Sequence, residues 1–157
     1  MDHKKIAQDS FELIKPSVTK LLKERALRED MHIVVMNPTI KPWESTFEDA
    51  ILVEFSTTDK KDWKKPFDTY ALDKARQAWR DGRSNVTKHL LSPATLKDGD
   101  VAFYGSFEYE GVIVAASGVE GWFDQLVSGW MALTVQQLCQ DYYQKLKSRE
   151  TMEIYIN

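Results

Sequence analysis

Between Val101 and Leu146 the spacing of apolar residues changes once, and the change predicts two kinds of element. In VAFYGSFEYE, Val101, Phe103, Phe107 and Tyr109 share one side, while Ala102, Tyr104, Ser106 and Glu108 share the other. That two-residue period predicts a half-buried strand. Gly111 closes a tight reversal after Tyr109-Glu110, and the small-residue run GVIVAASG predicts the returning strand. Gly118 and Gly121 then bracket a turn into WFDQLVSGWMALTVQQLCQDYYQKLK. There Phe123, Leu126, Val127, Trp130, Met131, Leu138 and Tyr142 recur at intervals of three and four, the stripe of a helix laid on a sheet.

The same reading carries through the earlier chain. Residues 4 to 28 predict a helix whose apolar face holds Ala7, Phe11, Ile14, Val18, Leu21 and Leu22. Pro16 interrupts it, because a proline inside a helix loses a hydrogen bond and crowds the preceding turn, so a kink or a junction of two helices is expected. MHIVVMNP predicts a strand stopped at Asn37-Pro38, and AILVEFS a second one, paired antiparallel with it. The connection between them, TIKPWESTFED, is polar and carries an exposed Trp43. After the charged linker TTDKKDWKKPF, Pro66 opens a helix that Gly82 ends, with Tyr70, Ala71, Lys74, Ala75, Ala78 and Trp79 on its inner face. RSNVTKHLLSPATLKDGD reads as an irregular connection with a short helical turn. Met152, Ile154 and Ile156 alternate with Glu153 and Tyr155, so a C-terminal extension strand is expected at 151–156, available to a sheet edge in this chain or in another subunit.

Composition narrows the class. A chain of 157 residues with no internal repeat is expected to form a single domain over 1–157. With 43% hydrophobic and 29% charged residues it reads as an ordinary globular protein, and the net charge of -3 argues against nucleic-acid binding. No run approaches a membrane span, the N-terminus MDHKKIAQDS has no signal-type apolar core, and the single cysteine, Cys139, can form no internal disulfide. These features predict a cytoplasmic protein in a reducing compartment, with Cys139 a buried, inert thiol.

Two stretches carry a resemblance. TYALDKARQAWRDGRSN and FYGSFEYEGVIVAASGVEGWFDQLV resemble the helix and the C-terminal signature of the GlcG/HbpS-like family, with Ser117, Gly118 and Asp124 at the matching positions. The resemblance runs over roughly residues 10 to 145. Where the family shows paired glycines, this chain has Tyr104-Gly105. The resemblance implies an α/β (α+β) fold of the profilin-like sandwich type: a central antiparallel sheet of about five strands flanked by helices, assembled into homo-oligomers. The family includes haem-binding and corrinoid-associated members and many of no known activity, so a small anionic or tetrapyrrole ligand is the implied partner, haem among the candidates.

The chemistry-bearing residues are few. His32 opens a strand and His89 lies in the connection; neither has a helical metal-site partner, and either could serve alone as an axial haem ligand or be a satisfied structural histidine. Between Asp59 and Lys88 the lysines and arginines outnumber the aspartates, with Trp63 and Trp79 interleaved. Lys74, Trp79 and Arg83 from this segment are the expected contacts for a tetrapyrrole carboxylate, a phosphate or an acidic partner, unless the segment is simply a solvated helix face. Ser117-Gly118 lies in no nucleophile elbow, and Gly118–Gly121 is not followed by the Lys-Ser/Thr of a phosphate loop. Glu120 and Asp124 are expected to complement the helix dipole. No catalytic or metal-binding set emerges. The expected function is non-catalytic ligand binding, with a homo-oligomeric scaffold as the alternative.

Overall fold

The computed structural model describes residues 1–147. The chain runs α1 (His3–Leu21), β1 (His32–Met36), β2 (Ile51–Ser56), α2 (Phe67–Asp81), α3 (Asn85–Leu91), β3 (Ser106–Tyr109), β4 (Val112–Ser117) and α4 (Gly121–Lys147). Among the described residues the four strands form one antiparallel sheet in the order β2-β1-β4-β3. The expected sheet had about five strands; the candidate fifth, at 151–156, lies outside the described residues.

β1 and β4 are central and buried on both faces, which their unbroken apolar runs demand. Ile33, Val35, Val112, Val114 and Ala116 face one layer, built from α1 and α4. Val34, Met36, Ile113 and Ala115 face the other, where Ala71, Ala75 and Ala78 bring α2 close to the sheet. The result is a mixed α+β arrangement of helix, sheet and helix layers. The hairpin between β3 and β4 turns on Glu110 and Gly111, both at positive φ (48° and 87°), the two-residue turn whose twist suits antiparallel strands.

Several expectations are corrected. β3 begins at Ser106, not Val101, and Phe103 is 74% exposed. From Val101 to Tyr104 the chain bends, at Ala102 and Phe103, and pairs with no strand among the described residues, so the alternation there marks no strand. Pro16 sits within a continuous α1 on its exposed side, where water can reach the Glu12 carbonyl that lost its donor. That helix ends not at residue 28 but at Leu21, in a wider π turn, Leu22–Ala26. The connection after Gly82 forms a two-turn helix, α3. Leu126 is 40% exposed, and the inner face of α4 instead carries Asp124, Val127, Ser128, Met131 and Val135.

α3 explains how the sheet ends at β3. The N–H groups of Ser106 and Glu108 donate to Asn85 Oδ1 (3.2 Å) and Ser84 Oγ (2.9 Å), so side chains take the place of a further strand at that edge. Among the described residues no helix is long and apolar enough to cross a membrane.

Candidate functional site

At the C-terminal end of β4 the chain makes its turn into α4, and α2 approaches the same point from the opposite face of the sheet. A cavity of about 790 Å³ opens there. Phe67 and Tyr70 of α2, Tyr104 from the segment before β3, and Trp122 of α4 give it aromatic walls. Lys64 and Lys65, from the linker before α2, stand exposed on its rim, and neither has an ion-pair partner among the described residues. Asp62 and Glu29 are acidic rim groups, and Arg28 lies 3.6 Å from Glu120.

The floor is an ion pair. Lys74 Nζ donates to Asp124 Oδ2 at 2.9 Å and to the Ala116 carbonyl at 3.0 Å, and both charged side chains are nearly excluded from solvent, at 3% and 2%. Asp124 Oδ1 accepts from the Val119 N–H at 3.1 Å, which ties the turn to the first coil of α4. Burial raises the Asp124 carboxyl to about 6, although Lys74 and the Val119 N–H pull it the other way. Gly105 makes the meeting possible. A Cβ there would come within 2.7 Å of Lys74 Nζ and 2.8 Å of both the Ala116 oxygen and Asp124 Cβ, so the missing side chain opens a passage between the two helical layers. Gly118 is as tightly placed, since a Cβ would lie 2.1 Å from the Asp30 carbonyl oxygen.

Of the five residues expected to contact a ligand, His32, Lys74, Trp79, Arg83 and His89, Lys74 alone lines this cavity. His32 is 1% exposed at the start of β1. Its Nε2 lies 2.7 Å from Glu54 Oε1 and its Nδ1 2.8 Å from Ser56 Oγ. An ionised carboxylate only accepts, so Nε2 carries the proton and Nδ1 accepts from the serine hydroxyl. Burial lowers the pKa of this ring and keeps it neutral. His89 Nε2 donates to the Val101 carbonyl at 3.1 Å. Trp79 donates from Nε1 to the Ile40 carbonyl at 3.0 Å and lines a separate, smaller cavity of about 320 Å³ beside Trp43. Arg83 is exposed and donates to Ser92 Oγ at 3.2 Å. The two histidines, Trp79 and Arg83 therefore do not converge with Lys74.

Sequence reading missed the role of Asp124, which it assigned to the helix dipole, and placed Tyr104 in a strand. One signal was present. Lys74 and Asp124 are charged residues standing on otherwise apolar faces, Lys74 among Ala71, Ala75 and Ala78, Asp124 in line with Val127 and Met131. Such a residue is buried only with a partner. Cys139 is half-buried, and burial pushes its thiol pKa up.

No family model matches this chain, and no curated protein matches it. Among solved structures, the crystal structure of the Ybr137w protein is similar to it, with a TM-score of 0.52 and 16% identity over 85% of this chain and 84% of that one. At that identity the likeness extends to the fold alone.

Proposed function

We propose that this chain binds a small amphipathic carboxylate, up to the size of a tetrapyrrole, in the cavity between α2 and the β4–α4 turn, and releases it unchanged. The observation that carries the reading is the pairing of aromatic walls with two rim lysines, Lys64 and Lys65, that have no ion-pair partner among the described residues, over a polar floor. Its volume falls in the range of roughly 300–1,000 Å³ usual for small-molecule sites. The flat, apolar body of the ligand would lie against Phe67, Tyr104 and Trp122, and its acid groups would meet lysines.

Haem enters this reading by its shape and carboxylates only. No histidine lines the cavity, and both His32 nitrogens are engaged elsewhere, so the residues present do not fit histidine ligation of an iron. The kinship with the GlcG/HbpS-like family and the profilin-like arrangement belong to the same proposal. What supports them is that Ser117, Gly118 and Asp124, the residues carrying the resemblance, all border the cavity. A cytoplasmic location belongs to it as well, supported by the lone cysteine.

The test is titration with protoporphyrin IX, haemin and benzoate, followed by quenching of tryptophan fluorescence, with Trp122→Phe to identify the reporter. Saturable one-to-one binding weakened by Lys64→Ala/Lys65→Ala is expected. Absence of saturable binding by all three ligands would overturn the reading.

A second reading is a homo-oligomeric scaffold, favoured by the exposure of Leu90 (73%), Leu91 (80%) and Phe103 (74%) in one part of the chain. Light scattering on the eluting protein decides it: a defined oligomer converted to monomer by Leu91→Glu is expected, and a wild-type monomer refutes it.

A further inference from the structure

Within the binding function proposed above, the floor of the cavity poses a problem for any acid that reaches it. The Lys74 ammonium is already held by Asp124 Oδ2, in a site almost closed to water. Two carboxylates sharing one buried ammonium would leave an uncompensated negative charge, which a site of low polarity does not tolerate. One of the two must take a proton. Asp124 is built for it: Oδ1 is held by the Val119 N–H, and Oδ2, once protonated, becomes a donor to the incoming carboxylate.

We propose that the cavity floor is a proton-coupled carboxylate site, in which a ligand carboxylate replaces Asp124 as the partner of the Lys74 ammonium while Asp124 takes up one proton from solvent. Lys74 keeps its bond to the Ala116 carbonyl throughout. One anion and one proton enter together, so the charge of the floor does not change and no covalent bond forms or breaks.

The groups around Asp124 set the pH range. Lys74 faces it from α2 and favours its charged form, while Glu120, in the turn, disfavours that form. Arg28, after α1, sits by Glu120; Tyr104 and Lys65 border the same cavity from the segment before β3 and the linker before α2. With the Asp124 carboxyl at about 6 in the free protein, half of the molecules carry the proton at pH 6, and about one in a hundred at pH 8. Binding to the protonated form therefore weakens about fifty-fold from pH 6 to pH 8.

The experiment is calorimetric titration of the full chain with benzoate, which stays ionised over that range, at pH 6, 7 and 8, in two buffers of different ionisation enthalpy. A fall in affinity of about fifty-fold, with uptake of close to one proton per benzoate at pH 8, is expected. Asp124→Asn, which leaves Lys74 without a competing carboxylate, should bind benzoate more tightly than wild type at pH 8 and with little pH dependence. Should that variant fail to fold, the proton count on the wild-type protein decides alone. Saturable binding with equal affinity at pH 6 and pH 8 and no proton uptake overturns the coupling but leaves the cavity reading standing. No benzoate binding at any pH overturns the proton-coupled site, and the cavity reading falls with it if protoporphyrin IX and haemin also fail to bind.

Discussion

Replacing Lys74 with methionine keeps the unbranched stem and removes the ammonium, so the change isolates one charge at the bottom of the cavity. Repacking a side chain of similar shape costs less than about 1.5 kcal/mol. The larger effect is electrostatic. Asp124, 2% exposed and 2.9 Å from Lys74 Nζ, is left as a buried carboxylate held only by the Val119 N–H. Removing one partner of a buried pair costs about 3–5 kcal/mol. Asp124 can evade part of that by binding a proton, because its carboxyl already stands at about 6 with Lys74 in place and rises further without it. The sign follows from linkage: a folded-state pKa above the unfolded value gives stability that is present at low pH and lost as the pH rises through the folded value. The penalty in Lys74→Met should therefore be about 3 kcal/mol or more at pH 8, and about 2 kcal/mol smaller at pH 5.5. Urea unfolding followed by tryptophan fluorescence measures it, with the slope unchanged between variants. Lys74→Met/Asp124→Leu, which removes both charges, should be less damaged at pH 8 than Lys74→Met alone. A loss under about 1 kcal/mol at both pH values, or strict additivity in the double variant, would refute a buried, coupled pair.

Three further outcomes follow from the same geometry. Gly118→Ala forces a Cβ against the backbone of Asp30 and Met31, which cannot rotate away, so a fall in melting temperature of about 10 °C is expected by circular dichroism; an unchanged melt would mean the turn is looser than described. His32 should titrate below 6.5 by NMR of its ring protons, and stability should decline as the pH falls from 6.5 through that midpoint, because the folded ring resists protonation; a midpoint above 6.5 would show that Glu54 outweighs burial. Asn85→Ala leaves Gln77 Oε1 and the Ser106 N–H without their partner and should cost about 2–3 kcal/mol in urea unfolding, against under 1 kcal/mol if water replaces the side chain.

Elements with one dominant local signal were legible in the sequence. The β3–β4 hairpin declared itself through Gly111, and α2 through Pro66 at its start and Gly82 at its end, where positive φ (66°) closes the last turn. β1 and β2 followed from apolar runs stopped by Asn37-Pro38 and by polar residues. What failed was where a side-chain pattern had to stand for backbone pairing. Val101 and Phe103 alternate as a strand does, yet only Ser106–Tyr109 finds a partner in β4. Sheet edges likewise depend on distant residues, since Ser84 and Asn85 seal β3 from across the sheet end. The candidate site was half legible. Lys74 was on the inner face of its helix, but its partner lies fifty residues on, and the contact needs two helices on opposite faces of the sheet to meet around the end of one strand.

That contact is also what joins the fold to its proposed use. Helices on opposite faces of a sheet normally communicate only through the strands between them. Here α2 and α4 touch directly, because Gly105 leaves a gap beside Ala116 and the chain fills it with an ammonium and a carboxylate rather than with apolar side chains. An apolar plug would hold the layers together at least as well, given what it costs to bury charge. A charged plug is the arrangement that can exchange one partner for another while its net charge stays constant. The same atoms then stabilise the junction when the cavity is empty and receive an acid when it is filled, so ligand binding and layer packing draw on a single ion pair. Variants that loosen the junction but keep the Lys74–Asp124 pair should weaken uptake in proportion, whereas substitutions at the rim lysines should weaken uptake and leave stability where it was.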